Sequence, residues 1–334
     1  MPLPNYLALV FAVFVRTGMT GGRFTDADLV EHAALRALGG ADAATARTVL
    51  DAHLSDDVTS LAAAAAAAEA APQAARHKLW LSNPLLARPL IRRADGYLAP
   101  INPYVIDKVT PLGIYFTGLD HFGDDFPNLV GTSFEKLVGR HLRLLEAVGA
   151  QVYPEIRYGR DSKLTCDYIV VLPEFVLLVE VKGMRSIESA RLGHEDGLRV
   201  LADRVQKARR QIATTASLIT ERVSELDHIP DDRPVRGLVV TLEPIHLIDS
   251  VFYADLLEPI PVPTATTSAH DFEQILATLL PLPDATARML DALTAKPSAP
   301  PVLARAVEGL PCERNPISTQ LWDDWSDLLP IALP

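Results

Sequence analysis

Between Gln151 and Val181 the chain holds three strand-like runs, Gln151–Tyr158, Leu164–Leu172 and Phe175–Val181. The breaks between them, Gly159-Arg160-Asp161 and Pro173-Glu174, are short enough for hairpins. This constrains the fold more than any other feature, because three short-linked strands must lie side by side. A helix is expected before them, over 131–148, with Phe134, Leu137, Val138, His141, Leu142, Leu145 and Val148 on one face at 3.6-residue spacing. A long helix is expected after them, about Leu198–Leu226, striped by Leu201, Val205, Ala208, Ile212, Leu218 and Ile219. Val235–Leu242 and Ile245–Ile248 read as strands, and 269–280 as a closing helix. The order α-β-β-β-α-β predicts an α/β fold with helices on both sides of a mixed sheet.

The 334 residues allow two domains, or one with long extensions. Residues 1–118 read as a mainly helical accessory domain. Thr25-Asp26-Ala27-Asp28 suits a helix start, Ala62–Ala68 is an unbroken alanine run, and Asp95-Gly96 suits a small hairpin within Leu90–Leu98. Residues 119–130 are dense in Asp, Gly, Pro and Asn and read as a linker, which leaves 131–282 as the α/β domain. Residues 283–334 read as a Pro- and Ala-rich helical tail, with one helix over Asp284–Leu293, the rest wrapping back onto the body, and Trp322 and Trp325 packing a helix or stacking on bases.

Two cysteines, Cys166 and Cys312, cannot build a disulfide framework, and the apolar run Tyr6–Val15 is shorter than the ~20 residues needed to span a bilayer. That run also lacks the flanks of a signal peptide, so a soluble cytoplasmic chain is expected. There is no P-loop, no Gly-x-Gly-x-x-Gly, no His-Glu-x-x-His and no ligand-spaced histidine cluster.

The chemistry concentrates in one stretch. Asp167 stands near the start of one strand, and the next, almost wholly apolar, ends in Glu180-Val181-Lys182. Strand side chains alternate, so Glu180 and Lys182 share a face. Burying such charges costs several kcal/mol unless they are paired or bound to metal. One reading is a structural ion pair of Lys182 with Asp167 or Glu180. The other is a hard-oxygen site for Mg²⁺ or Mn²⁺, with Lys182 orienting water or stabilising negative charge during phosphodiester hydrolysis.

With these residues in these elements, the segment 131–280 resembles the PD-(D/E)XK nuclease superfamily, the restriction-endonuclease-like fold. The resemblance implies an αβββαβ core and an Mg²⁺-dependent endonuclease acting on DNA, with RNA not separated by the motif. It implies Asp167 and Glu180 as metal ligands, the Val181 backbone carbonyl as an added ligand, Lys182 as catalytic, and Glu135 on the first helix as completing the site. Cys166 stands where the family carries Pro. Glu135 has a second reading, because Thr132-Ser133-Phe134-Glu135 is also a capping box. On the long helix, Lys207 and Gln211 share a face and Arg210 lies beside them; they either contact phosphate or water, or form a solvated face. Arg185, in the loop Gly183–Leu198 with Arg191 and His194, is a further candidate for gripping substrate.

An accessory domain on such a nuclease suggests bacterial antiviral defence, restriction or repair. Residues 1–118 and 283–334 are then expected to sense, recruit or gate, through a homo-oligomer or a partner protein. A rival reading is a non-cutting nucleic-acid-binding or protein-interaction module on the same fold. The net charge of −11 excludes a uniformly basic nucleic-acid binder. The acidity is not evenly spread, however: residues 132–222 carry 15 Lys/Arg against 12 Asp/Glu, and the remainder 16 against 30. The segment with the motif is mildly basic, and salt-sensitive nucleic-acid affinity is expected of it.

Overall fold

A computed structural model of the chain describes residues 1–31, 43–70, 83–183, 195–245, 248, 256–294 and 300–326. The chain divides into two compact units, Met1–Phe126 with Gln320–Pro334, and Pro127–Thr319.

In the first unit, α1 (Leu3–Met19) buries Leu9, Val10 and Val13 in a core with Phe24, Leu50, Leu54, Leu90, Tyr97 and Val105. The helical expectation is incomplete here. Strands β1 (Arg23–Thr25), β2 (Ser55–Asp56), β3 (Leu90–Arg93) and β4 (Gly96–Leu98) form a sheet in the order β1-β4-β3-β2. β3 and β4 make the expected hairpin, but Gly96 serves a different purpose from turning the chain. It pairs with Thr25 at φ +136°, and a Cβ there would run into the Phe24 carbonyl. The alanine run lies in helix α2 (Val58–Ala70), of which only Leu61 is buried.

The expected linker is helical. Helix α3 (Pro111–Phe122) ends at Gly123, at φ +65°, and α4 (Asp125–Arg143) begins two residues later. Turn-forming residues serve as helix ends instead: Gly123 adopts the positive φ of a cap, and Pro127 sits in the first turn, where its missing N–H costs nothing. The unit boundary falls at Phe126–Pro127, inside α4.

The second unit is a mixed α/β structure. Its five-stranded sheet runs β11-β10-β9-β8-β5, from β5 (Gln151–Pro154), β8 (Tyr168–Val171), β9 (Val176–Lys182), β10 (Val235–Thr241) and β11 (Thr264–Ser268). β5, β8 and β9 pair antiparallel, whereas β9, β10 and β11 pair parallel. A separate two-stranded hairpin, β6 (Arg157–Tyr158) and β7 (Lys163–Leu164), interrupts the connection from β5 to β8.

Helices cover both faces, as the alternation of β9 requires. Leu177, Val179 and Val181 join Phe134, Val138 and Leu142 of α4, and Phe272, Ile275 and Leu276 of α6 (Ala269–Leu279). Val176 and Leu178 join Ala208, Ile212 and Ile219 of α5 (Glu195–Thr220). Each fully buried aliphatic of this kind contributes about 1.5–3 kcal/mol. α5 stops short of the expected Leu226, with Arg222 at φ +54°.

Two expectations are corrected. The strand expected at Ile245–Ile248 is absent: Ile248 is a turn residue, 246–247 lie outside the described residues, and β11 occupies the sheet edge. β11 reads Thr264-Ala-Thr-Thr-Ser268, β-branched but polar, so hydropathy passes over it. The helix expected over Asp284–Leu293 is present, but it belongs to the core of the second unit rather than to a tail. Helix α7 (Ala285–Ala292) and the turn Leu303–Val307 place Ala285, Met289, Ala292, Leu293, Leu303 and Ala306 in the same core as β8 and β9. Trp322, in α8 (Pro316–Ser326), is about half exposed, and the Trp325 side chain is not among those described.

Candidate functional site

The sheet's antiparallel ladders end at one row. β8 pairs Tyr168 with Val179, and β5 pairs Pro154 with Tyr168. Continued by one residue, the first ladder sets Asp167 opposite Glu180, and the second sets Glu155 opposite Asp167. Residues directly opposite in antiparallel strands share a face, with Cα atoms about 4.5–5.5 Å apart. Alternation from Ile169 and Leu178, which pack under α5, puts Asp167 and Glu180 on the α5 face.

Backbone accounting explains how Asp167 is held. β8 begins only at Tyr168, so the β9 ladder has lost its partner by Val181. Asp167 Oδ2 accepts the Val181 N–H instead, at 2.6 Å. The Val181 N–H is thereby committed to Asp167. From the other side, Gln211 Nε2 donates to the Thr165 carbonyl at 3.2 Å, and the Cys166 N–H donates to Thr215 Oγ1 at 2.9 Å. Gln211 and Thr215 are one helical turn apart on α5 and clamp the residues leading into Asp167.

Glu180 is fully buried. Its Oε1 accepts from Lys182 Nζ at 2.5 Å, whereas its Oε2 has no hydrogen-bond partner among the described residues. Burial, and then the Asp167 charge, push the Glu180 carboxyl up to about 7 against the opposing pulls of Lys182 and the Asp167 backbone N–H. Burial also raises Asp167, against the Val181 amide and Lys182. A buried carboxylate with a bare oxygen, facing a second carboxylate, is costly to the fold.

Glu135 is not a helix cap. α4 begins at Asp125, so Thr132 is mid-helix and the capping-box reading is withdrawn. The Glu135 carbonyl accepts from Tyr168 Oη at 3.0 Å, and Gly139 lets the helix approach, since a Cβ there would strike the Tyr168 hydroxyl. The Glu135 carboxyl is half-buried and raised by burial, then by Asp167 and Glu155, so it shares their field.

Glu155 is the residue that the sequence reading passed over. It is exposed, beside β5, and its charge raises both Asp167 and Glu135. Only the strand register could have exposed it. The candidate substrate-binding residues of α5 divide. Lys207 is exposed, Arg210 is exposed and paired with Glu258 at 2.5 Å, and Gln211 holds backbone. Arg185, Arg191 and His194 lie outside the described residues.

Among the described residues no three His, Cys, Asp or Glu side chains converge tightly enough to grip an ion as they stand. The donor chemistry nonetheless fits a hard divalent cation: two facing carboxylates, with one buried oxygen of Glu180 unpartnered. No helix among the described residues is long and apolar enough to cross a membrane.

No curated protein and no solved structure matches the chain. A family model does, and the resemblance to a nuclease family read from the sequence is borne out at that level: residues 130–242, which carry Glu135, Glu155, Asp167, Glu180 and Lys182, match the nuclease-related domain, NERD.

Proposed function

We propose that the second unit is a divalent-metal-dependent phosphodiester hydrolase acting on DNA, with a restriction-endonuclease-like core. The observation that carries this is Glu180, a fully buried carboxylate with an unpartnered oxygen, opposite Asp167 and beside Lys182. The match to a nuclease-related domain supports the same reading, as does the run of α4, β5, β8, β9, α5 and β10.

Asp167 and Glu180 would hold Mg²⁺ or Mn²⁺, with Glu135 and the Val181 peptide flanking them. When bound, such an ion lowers the pKa of its water and neutralises charge on a phosphoryl oxygen. Asp167 is oriented by the Val181 amide, which keeps one oxygen engaged and leaves the other to the site. Among the described residues, Lys182 is the cation within this row. It stabilises the negative charge that builds on the phosphorus-bound oxygens and orients the attacking water. Gln211 and Thr215 act as positioning residues, through the backbone of Thr165 and Cys166.

The Lys182–Glu180 ion pair favours a second reading, in which the triad is structural and the domain binds without cutting. Plasmid cleavage with Mg²⁺, Mn²⁺ or EDTA separates the two. The hydrolase reading expects divalent-dependent nicking, abolished in Asp167→Ala and Lys182→Ala with the fold intact. Equal inertness of wild type and variants across metals and substrates contradicts it, and DNA binding unaffected by EDTA and by Asp167→Ala then favours the second reading.

A further inference from the structure

The sheet does not need the chain between β5 and β8 to leave it. The two strands are adjacent and antiparallel, so a tight turn would join them. Instead the chain departs after Glu155, forms the β6–β7 hairpin as a sheet of its own, and returns at Asp167. The two ends of this excursion are thus two carboxylates of the row.

The hairpin is built rather than slack. The Thr165 N–H donates to the Ile156 carbonyl at 3.1 Å, and the Ile156 N–H donates to Thr165 Oγ1 at 2.9 Å. At the tip, the Ser162 N–H donates to the Gly159 carbonyl, with φ of +67° at Gly159 and +50° at Ser162. The Gly159 N–H donates to Glu225 Oε1 at 2.9 Å, which anchors the tip to the chain following α5. Only its base packs inward, with Thr165 buried and Ile156 against the α5-side core. Arg157, Arg160, Lys163 and Leu164 beyond it are all exposed, so core packing does not account for the arm. A lone two-stranded hairpin is marginal in water, and here it is held by these anchors.

Its charge is opposite to that of the row. Arg157, Arg160 and Lys163 stand against Asp161 alone, whereas Glu135, Glu155, Asp167 and Glu180 stand against Lys182. A carboxylate row repels a polyanion, so attraction must come from cations flanking it. At ~3.3 Å per extended residue, the tip reaches on the order of 15 Å from Glu155, enough to follow several phosphates of one strand.

We infer that the β6–β7 hairpin is a phosphate-gripping arm, in which Arg157, Arg160 and Lys163 bind a nucleic-acid backbone and deliver it to the carboxylate row. This deepens, and rests on, the hydrolase reading of that row. The arm binds phosphate rather than base edges, so it contributes affinity without sequence preference.

The test uses the full chain and a fluorescein-labelled DNA duplex, with anisotropy read in EDTA over a NaCl series. Arg157→Ser/Arg160→Ser/Lys163→Ser is expected to bind about tenfold or more weakly, with the slope of log K against log salt flattened by about 2. Arg157→Lys/Arg160→Lys keeps the charge and is expected to retain the slope. With Mg²⁺ or Mn²⁺, the triple variant raises KM while kcat stays within about twofold. Binding and slope unchanged in a triple variant that melts like wild type overturn the inference, as does absence of wild-type binding. Metal-dependent cleavage with hairpin-independent binding overturns the arm and leaves the hydrolase. Hairpin-dependent binding without cleavage supports the arm and overturns the hydrolase.

Discussion

Each unit of the chain buries a carboxylate, and the two are treated in opposite ways. In the first unit, Asp28 is almost fully buried and both its oxygens are engaged. Oδ1 accepts from Arg16 Nε at 2.8 Å, and Oδ2 accepts from the Thr25 N–H at 2.7 Å and the Thr25 hydroxyl at 2.9 Å. Burial works against its charge, but the Thr25 groups and the Arg16 guanidinium outweigh it and hold the carboxyl below its usual range. In the second unit, Glu180 is more deeply buried, one oxygen is bare, and a second carboxylate faces it, so its carboxyl is pushed up to about 7. A fold that satisfies Asp28 could have satisfied Glu180. The contrast sets Asp28 within the scaffold and supports the proposed role of Glu180 as a ligand-binding carboxylate.

Substitution should split the two cleanly. The largest expected effect is on activity: Glu180→Gln or Asp167→Asn should lower divalent-dependent DNA cleavage by about 10³-fold or more, whereas Asp28→Asn should leave turnover near wild type. Next comes stability. Asp28→Asn leaves Arg16 without its partner and should cost about 1–3 kcal/mol, read as a lowered melting temperature. Glu180→Gln should instead hold or raise the melting temperature at pH 8, since it removes a charge the fold disfavours.

The pH dependences should carry opposite signs. Glu180 keeps its proton in the fold after losing it in the unfolded chain, so stability falls as pH rises from about 4.5 to about 7, by on the order of 3 kcal/mol. Asp28 is the reverse: its contribution is present above the ordinary carboxylate range and fades as pH falls through its lowered pKa. Denaturant melts of wild type and Glu180→Gln from pH 4 to pH 8 check this, because the variant should lose the falling limb. The smallest effect is expected at Glu155, exposed at the edge of the row. Glu155→Gln should weaken Mn²⁺ binding and cleavage by about tenfold or less, measured by calorimetry and initial rates.

Much of this arrangement was legible from the residues. β8 and β9 are short apolar runs bounded by turn residues, and a Glu-x-Lys at the end of such a run signals an unusual burial. Thr25-x-x-Asp28 also read correctly as a helix start, and its Asp28 does reach back to the Thr25 amide. What escaped depended on context beyond local pattern. Gly123, Asp124 and Pro127 carry the same turn chemistry at helix ends as in a linker, so composition could not separate the two. β11 is buried yet written in threonines, invisible to hydropathy. Glu155 joins the row only through pairing with a strand that begins at Tyr168, and register is not a property of either segment alone. Gln211 was expected to contact phosphate or water, and the structure places its amide on the Thr165 carbonyl, a partner no local pattern announces.

The central claim is that the bare oxygen of Glu180 belongs to a hydrolytic site. Plasmid cleavage in Mg²⁺ or Mn²⁺ by wild type and Glu180→Gln, side by side with their melting temperatures at pH 8, tests it most directly. Nicking by wild type alone is expected, with the variant at least as stable. Cleavage by both proteins at similar rates, or by neither, would contradict it.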